Sequence, residues 1–225
     1  MTDAPLVHHQ GRTTRGADVT KTIIAIIGDT HIGSTTALSL PTFTTDEGQE
    51  VKANKAQEWL YACWNDYTGY VRERVGTGKN KRRLVLVHLG DVVDGLHNQT
   101  PQALPNLADQ EAMACEILRP LVAAADGGYY QIRGTEAHAG MAAQSEVRIA
   151  KELGAKACEY ELDLSIDGLL LNLAHHGRAG ARPWTSSASQ QAGEIVIERA
   201  VARQEIPALC FRGHRHTLDD SGERV

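Results

Sequence analysis

Residues 21–31 read KTIIAIIGDTH, an apolar and largely β-branched run that ends in a glycine and a polar cluster. An apolar run without polar alternation is typical of a strand that is buried on both faces. Residues 83–91 repeat the pattern, since the run RLVLVHL is again closed by Gly90 and Asp91. We therefore predict two central strands that carry polar side chains at their carboxyl ends.

Helix-like and strand-like segments alternate along the rest of the chain. The periodicity predicts helices over residues 52–74, 107–125, 145–153 and 189–203, and strands over 129–133, 158–166, 169–174 and 208–212. Asp167 and Gly168 lie between two of these strands and are a strong hairpin signal. Residues 33–49 show no periodicity and predict a long loop. The sequence thus predicts an α/β fold, with a mixed sheet or two packed sheets flanked by helices.

Length and charge limit the possible classes of protein. The 225 residues fit one domain, which we expect over residues 21–225, preceded by a flexible arm at residues 1–20. A net charge of −5 gives no general attraction to phosphate backbones. No apolar run approaches the roughly 18 to 20 residues that cross a bilayer. The N-terminus lacks the pattern of a secretory signal, so we expect a cytoplasmic protein with no membrane partner.

Polar clusters follow five of the expected strands. They are Asp29-Thr30-His31, Asp91-Val92-Val93-Asp94, Thr135-Glu136-Ala137-His138, His175-His176 and His214-Arg215-His216. Ligands of open α/β sheets bind at the carboxyl ends of strands, so we expect these clusters to converge. Imidazoles and carboxylates are ligands of Mn²⁺, Fe, Zn²⁺, Co²⁺ and Ni²⁺. The clusters therefore predict a metal site.

The order of these motifs resembles the calcineurin-like metallophosphoesterase superfamily over residues 22–216. The shared motifs are Asp-x-His, Gly-Asp-x-x-Asp, a Gly-plus-polar motif, His-Gly and Gly-His-x-His. The resemblance implies two packed mixed β-sheets flanked by helices, in a four-layer αββα fold. It also implies two divalent ions bridged by an aspartate and a hydroxide, with Mn²⁺ expected first and Fe, Zn²⁺, Ni²⁺ or Co²⁺ as alternatives.

The resemblance also implies a role for each matching residue. Asp91 corresponds to the bridging aspartate and so to a catalytic residue. The remaining metal ligands by motif position are Asp29, His31, His176, His214 and His216, with His175 as the second choice beside His176. Asp94 corresponds to a residue that orients ligands, with a plain helix cap as the alternative.

Two features depart from the family pattern. Where members usually read Gly-Asn-His-Asp/Glu, this chain has Gly134-Thr135-Glu136-Ala137-His138, which is similar to variants in phage and prophage members. We expect Glu136 to replace the missing oxygen ligand, with Thr135 or water as alternatives, and His138 to protonate the leaving group. Nine residues follow His216, whereas members normally continue with further strands, so a shortened C-terminus is expected.

The leading expectation is a metal-dependent phosphoesterase in which a metal-bridging hydroxide attacks a phosphate mono- or diester. Arg133, Arg178 and Arg182 are candidates to bind substrate phosphate, with surface salt bridges as the alternative. We expect the substrate to be a phosphorylated small molecule, a nucleotide or a nucleic acid. A nuclease or cyclic phosphodiesterase is one alternative function. A catalytically silent metal-binding module on the same scaffold is the other.

Overall fold

The computed structural model describes residues 21–96, 101–176 and 188–214. The expected N-terminal arm, residues 1–20, lies outside this part of the chain. The strands are β1 (Ile23–Ile27), β2 (Thr42–Thr44), β3 (Glu50–Lys52), β4 (Leu84–His88), β5 (Gly128–Ile132), β6 (Cys158–Glu159), β7 (Glu161–Ile166), β8 (Leu169–Ala174) and β9 (Leu209–Arg212). The helices are α1 (Lys55–Val75), α2 (Leu107–Ala124), α3 (Glu136–Ala139), α4 (Gln144–Glu152) and α5 (Ala188–Ala202).

The larger sheet has four strands in the order β1-β4-β5-β6. All three of its strand pairs are parallel, which requires crossover connections, and α1, α2 and α4 lie in those connections. The three-stranded sheet β7-β8-β9 combines an antiparallel and a parallel pair. Of the two sheets expected to be mixed, only the three-stranded one is mixed among the described residues.

Two apolar cores lie on the two faces of the parallel sheet. Leu84 and Leu86 of β4 face the helices, in a core that includes Leu118 of α2. Val85 and Val87 point to the opposite face and pack in a core with Leu171 and Leu173 of β8. The alternation along β4 therefore places helices on one side of the parallel sheet and the second sheet on the other.

Helix α5 is joined to the three-stranded sheet by an ion pair. Arg199 donates from both terminal nitrogens to the carboxylate of Asp163 on β7, at 2.6 and 2.9 Å. The expectation of an α/β fold with packed sheets flanked by helices is confirmed. No helix in the described part of the chain combines the length and apolar character needed to span a bilayer.

The structure corrects three of the expected element boundaries. The expected strand at 158–166 is two strands that meet at Tyr160, because β6 pairs with β5 and β7 pairs with β8. The expected loop at 33–49 contains β2, which pairs with β3 in a short hairpin. Helix α1 begins at Lys55 rather than at residue 52, since Asn54 caps it by accepting from the N–H groups of Ala56 and Gln57.

Candidate metal centre

The loops after β1 and β4 run side by side beyond the ends of their strands. The N–H of Asp29 donates to the carbonyl of Gly90 at 3.0 Å, and the N–H of His31 donates to the carbonyl of Asp91 at 3.0 Å. Hydrogen bonding between neighbouring parallel strands thus continues into the loops. It brings the first two predicted motifs to the same edge of the sheet.

Four of the predicted ligands have left-handed backbone conformations. The φ angles of Asp29, His31, Asp91 and His214 are 51°, 42°, 51° and 71°. This region costs a non-glycine residue roughly 1–2 kcal/mol, because its Cβ crowds the backbone. Such strain collects at functional sites that the surrounding structure holds in place.

Asp91 lies at the centre of the cluster, and its side chain is almost fully buried. Its Oδ2 is 3.0 Å from Nε2 of His175 and 4.0 Å from Nε2 of His138. Its Oδ1 accepts the N–H of Thr135 at 2.7 Å. Burial alone would raise the pKa of Asp91, but His175 and the Thr135 N–H outweigh it and lower that pKa to about 2. Asp91 is therefore an anion at neutral pH.

The described residues form three groups that can hold a metal ion. In each group the donor atoms lie within 4.8 Å of one another. The groups are His31 with Asp91 and His138, Asp29 with Asp91 and His175, and His175 with His176 and His214. Asp91 belongs to two of the groups and His175 to two, so the donors form one continuous set.

Backbone carbonyls orient two of the imidazoles. Nδ1 of His175 lies 2.8 Å from the carbonyl of Leu89, and Nδ1 of His138 lies 2.7 Å from the carbonyl of Asp94. A carbonyl oxygen only accepts, so both Nδ1 atoms donate, and in the neutral rings the lone pair is on Nε2. This tautomer, held by a backbone carbonyl, is typical of metal-binding histidines.

The contact between His175 and Asp91 favours a positive charge at this point. With its lone pair on Nε2, neutral His175 faces a carboxylate oxygen at 3.0 Å, and two acceptors this close repel each other. Either a proton or a cation between them removes the repulsion. Burial alone would lower the pKa of His175, but the adjacent Asp91 outweighs it and raises that pKa. The donor set therefore fits a metal cation.

Two motif glycines leave room for the carboxylates. A Cβ at Gly134 would lie far inside van der Waals contact of Asp91 Oδ1. A Cβ at Gly213 would lie 2.9 Å from Asp29 Oδ2 and 3.1 Å from Nδ1 of His175. Backbone without side chains at these two positions is thus part of how the site is built.

The strand β9 brings the last motif to the cluster. The N–H of His214 donates to both carboxylate oxygens of Asp29, at 3.0 and 3.1 Å. The rings of His214 and His176 are 4.4 Å apart between centroids, and those of His214 and His175 are 5.2 Å apart. Burial and the neighbouring His214 and His175 lower the pKa of His176, which favours the neutral form that binds metals.

The structure does not bring every predicted site residue to the cluster. Glu136 is exposed and belongs to none of the three donor groups. It lies in the first turn of α3, whereas Thr135 before it donates to Asp91 from both its N–H and its hydroxyl. The structure does not bring Glu136 into these donor groups, and its role as a metal ligand stays a prediction.

The structure also places Arg133 away from the cluster, and its substrate role stays a prediction. Its Nε donates to the carbonyl of Cys158 at 2.9 Å, and its guanidinium lies 5.1 Å from the ring centroid of Tyr160. These contacts direct the side chain toward β6, and Arg133 does not line the cavity beside the cluster. The other candidates Arg178 and Arg182, and the expected ligand His216, lie outside the described residues.

Glu146 of α4 is a part of the site that the sequence did not suggest. Its fully buried carboxylate accepts the N–H of Val92 at 3.2 Å and the N–H of Gly134. It thus joins the loops after β4 and β5. Burial raises its pKa to about 7 despite these two hydrogen bonds. The sequence did contain one signal for this position. Glu146 lies one helical turn before the buried Ile149, so the two side chains share the same face of α4.

His88 is a second buried link between the loops. Its Nδ1 accepts the N–H of Gly90 at 3.1 Å, and its Nε2 lies 3.2 Å from the hydroxyl of Thr30. That hydroxyl donates to the carbonyl of Val92 at 2.8 Å, so Nε2 of His88 is the donor to it. Burial and the nearby His175 lower the pKa of His88 to about 3. His88 is therefore a neutral structural residue.

A cavity of about 770 Å³ opens beside the cluster. Its polar wall contains Asp29, His31, Asp91, Asp94, His138 and His214. Its apolar wall contains Ala37, Leu38, Leu60, Cys63, Trp64 and Tyr67. Asp94 lies 3.7 Å from Nδ1 of His31 and 3.6 Å from Nδ1 of His138, so one carboxylate contacts two of the candidate donors.

Comparison with known proteins found no family model that matches the chain and no matching curated protein. The geometry of the site therefore defines its class. Histidines and aspartates lie close enough together to hold metal ions.

Proposed function

We propose that the protein is a metal-dependent phosphoesterase with two divalent ions at the candidate metal centre, and we expect Mn²⁺ rather than Fe, Zn²⁺, Ni²⁺ or Co²⁺. The observation that carries the proposal is the position of Asp91. Its Oδ2 faces both His138 and His175, so one carboxylate links the two ends of the donor set. A shared carboxylate is what a pair of close cations needs.

The proposed ligands divide between the two ions. Asp29, His31 and Asp91 would hold one ion, together with His216 by its motif. His214 and the pair His175 and His176 would hold the second ion, with Asp91 near enough to serve both. By motif position, His175 is second to His176 as a ligand. We now propose both residues, because His175 contacts Asp91 directly. The sheet packing supports the four-layer fold that the family resemblance implies.

Charge around the cavity supports a role for cations in binding phosphate. Asp29, Asp91 and Asp94 line the cavity, and among its described lining residues there is no Lys or Arg. Carboxylates that line a cavity repel a phosphate anion inside it. Bound divalent ions would reverse the local charge, position the phosphoryl oxygens and acidify a water for attack.

The residues of the chain have separate tasks in this proposal. Thr135 and Glu146 hold Asp91 and its loop in place through hydrogen bonds. Asp94 orients His31 and His138. His138 lines the cavity and keeps its Nε2 on the side of the cluster, where the ring in its imidazolium form can donate the Nε2 proton to the leaving oxygen. Cytoplasmic location stays a prediction.

The test is metal content and turnover measured on the same samples. The protein is stripped with chelator, reloaded with Mn²⁺, and assayed on p-nitrophenyl phosphate, bis-p-nitrophenyl phosphate and single-stranded DNA. We expect bound metal and hydrolysis of at least one ester. Asp91→Asn should lose both, whereas Asp66→Asn, the same change at an exposed position on α1, should keep both.

Each outcome separates the candidate functions. Activity confined to the diester or to DNA favours a nuclease or cyclic phosphodiesterase. Bound metal with no hydrolysis of any ester favours the catalytically silent module. A protein that takes up no metal, or an Asp91→Asn variant as active as the wild type, overturns the proposal.

A further inference from the structure

Most of the apolar wall of the cavity is built by one face of α1. Leu60, Trp64 and Tyr67 follow one another at four- and three-residue spacing, so they project from the same side of the helix. Farther along, Val71 and Val75 continue this stripe into the core. The stripe therefore serves two purposes, as core packing at one end and as cavity wall at the other.

The two aromatic residues of the wall are held in place. The rings of Trp64 and Tyr67 lie 6.1 Å apart between centroids and are tilted by 33°. The hydroxyl of Tyr67 donates to the carbonyl of Ile26 in β1 at 3.1 Å. That bond occupies the polar end of Tyr67, so what it can offer the cavity is its ring.

We propose that this wall binds a flat, uncharged ring on the alcohol side of the phosphate ester. The inference rests on the proposed function for its phosphate end, because the same cavity reaches from the metal ligands to the aromatic wall. A cavity of about 770 Å³ is within the range of about 300–1,000 Å³ typical of sites for small organic ligands. The ester group then lies at the carboxylates and imidazoles, and the ring lies against Trp64.

The chemistry of the lining favours a ring over other groups. Apolar and aromatic side chains attract flat apolar surfaces by burial and by offset stacking. Because the described lining holds no Lys or Arg, it offers a second phosphate or a sugar-phosphate chain no guanidinium or ammonium partner. The substrate class is thus a small ester with one phosphate and one ring.

The first test compares an ester that carries a ring with one that does not, and the difference in leaving-group reactivity between them cancels when protein variants are compared. The Mn²⁺-loaded protein is assayed on 1-naphthyl phosphate and on methyl phosphate, and the ratio of their kcat/KM values is the measured quantity. Trp64→Leu keeps apolar volume but loses the flat face, and it should lower the ratio about tenfold, as expected for loss of one stacking partner. Trp64→Phe should retain most of the ratio.

A matched control separates this effect from a general change in α1. Trp59 lies on the same helix but is 66% exposed and does not line the cavity. Trp59→Leu should leave the ratio as in the wild type. Equal ratios for the wild type and Trp64→Leu would overturn the proposal.

A second measurement keeps the inference separate from the proposed function. Metal-free protein is titrated with 1-naphthol, which carries the ring without phosphate, and binding is followed by calorimetry. The wild type should bind, and Trp64→Leu should bind at least about fivefold more weakly. Naphthol binding that depends on Trp64, without turnover of any ester, would retain the ring site and reject the phosphoesterase. Turnover of an ester without naphthol binding would retain the phosphoesterase and reject the ring site. Absence of turnover and of naphthol binding would reject both proposals.

Discussion

Replacing Glu146 by Gln should change how the stability of the metal-free protein depends on pH. Burial raises the pKa of this carboxyl from its ordinary 4.5 to about 7 in the folded chain. Between these two values the folded chain keeps a proton that the unfolded chain has released. The stabilising effect is therefore complete below about pH 4.5 and is lost as the pH rises through about 7.

The size of the effect follows from that interval. One pH unit corresponds to about 1.4 kcal/mol, so the interval from 4.5 to about 7 amounts to about 3 kcal/mol of unfolding free energy. Gln cannot ionise, so the variant does not show this loss of unfolding free energy as the pH rises. At low pH, where Glu146 is protonated, the variant should be close to the wild type in stability, because a neutral carboxyl and an amide each offer one carbonyl oxygen to the N–H groups of Val92 and Gly134.

The assay is urea unfolding with chelator present, from about pH 5 to about pH 8, for both proteins. His88 contributes a slope of opposite sign, since its lowered pKa costs stability as the pH falls below 6.5. His88 is present in both proteins and cancels in their difference. The stability of the variant relative to the wild type should therefore improve as the pH rises. A difference that stays constant with pH would refute the assignment of a raised pKa to Glu146.

Three further predictions concern the cluster itself. Mn²⁺ binding near pH 6.5 should release at least about half a proton, because Asp91 raises the pKa of His175 above 6.5 and keeps more than half of it protonated until metal takes the place of the proton. Calorimetry in two buffers of different ionisation heat counts the protons, and a count near zero contradicts the prediction. Gly134→Ala should abolish metal uptake, since its Cβ would collide with Asp91, whereas Gly69→Ala, in the interior of α1 with open space around it, should keep metal uptake and raise stability by up to about 1 kcal/mol. If the Gly134→Ala and Gly69→Ala variants bind equal amounts of metal, the close approach of Gly134 to Asp91 is not needed for metal binding. Glu136→Ala should leave metal content and turnover as in the wild type, and a loss of metal would restore this residue as a ligand.

The sequence predicted the central strands because their patterns are local. β1 and β4 lie within the two apolar runs, each followed by glycine and aspartate, and the structure pairs them in parallel. The division at Tyr160 was not predictable in the same way. Residues 158–166 read as one continuous strand, and only the choice between two pairing partners, β5 and β8, divides them.

The candidate site shows the same division between local and tertiary information. The motifs that hold Asp29, Asp91 and His214 indicated side chains that the structure does bring together. For Glu136 the motif gives the position in the chain but not the direction of the side chain at the start of α3, and the structure leaves it outside the donor groups. Glu146 was not singled out, because the backbone N–H groups that it accepts from lie in two loops distant in sequence.

The hydrogen bond between Asp29 and His214 spans 185 positions of the chain. Such a contact forms only after both sheets have assembled, because β1 and β9 belong to different sheets and loop closure over long separations is costly until neighbouring strands have paired. A nascent or partly folded chain therefore lacks the complete donor set, even where the loops of the parallel sheet already hold His31, Asp91 and His138. If the centre binds Mn²⁺ as proposed, full uptake of the metal during refolding should consequently mark the step in which the second sheet packs on the first.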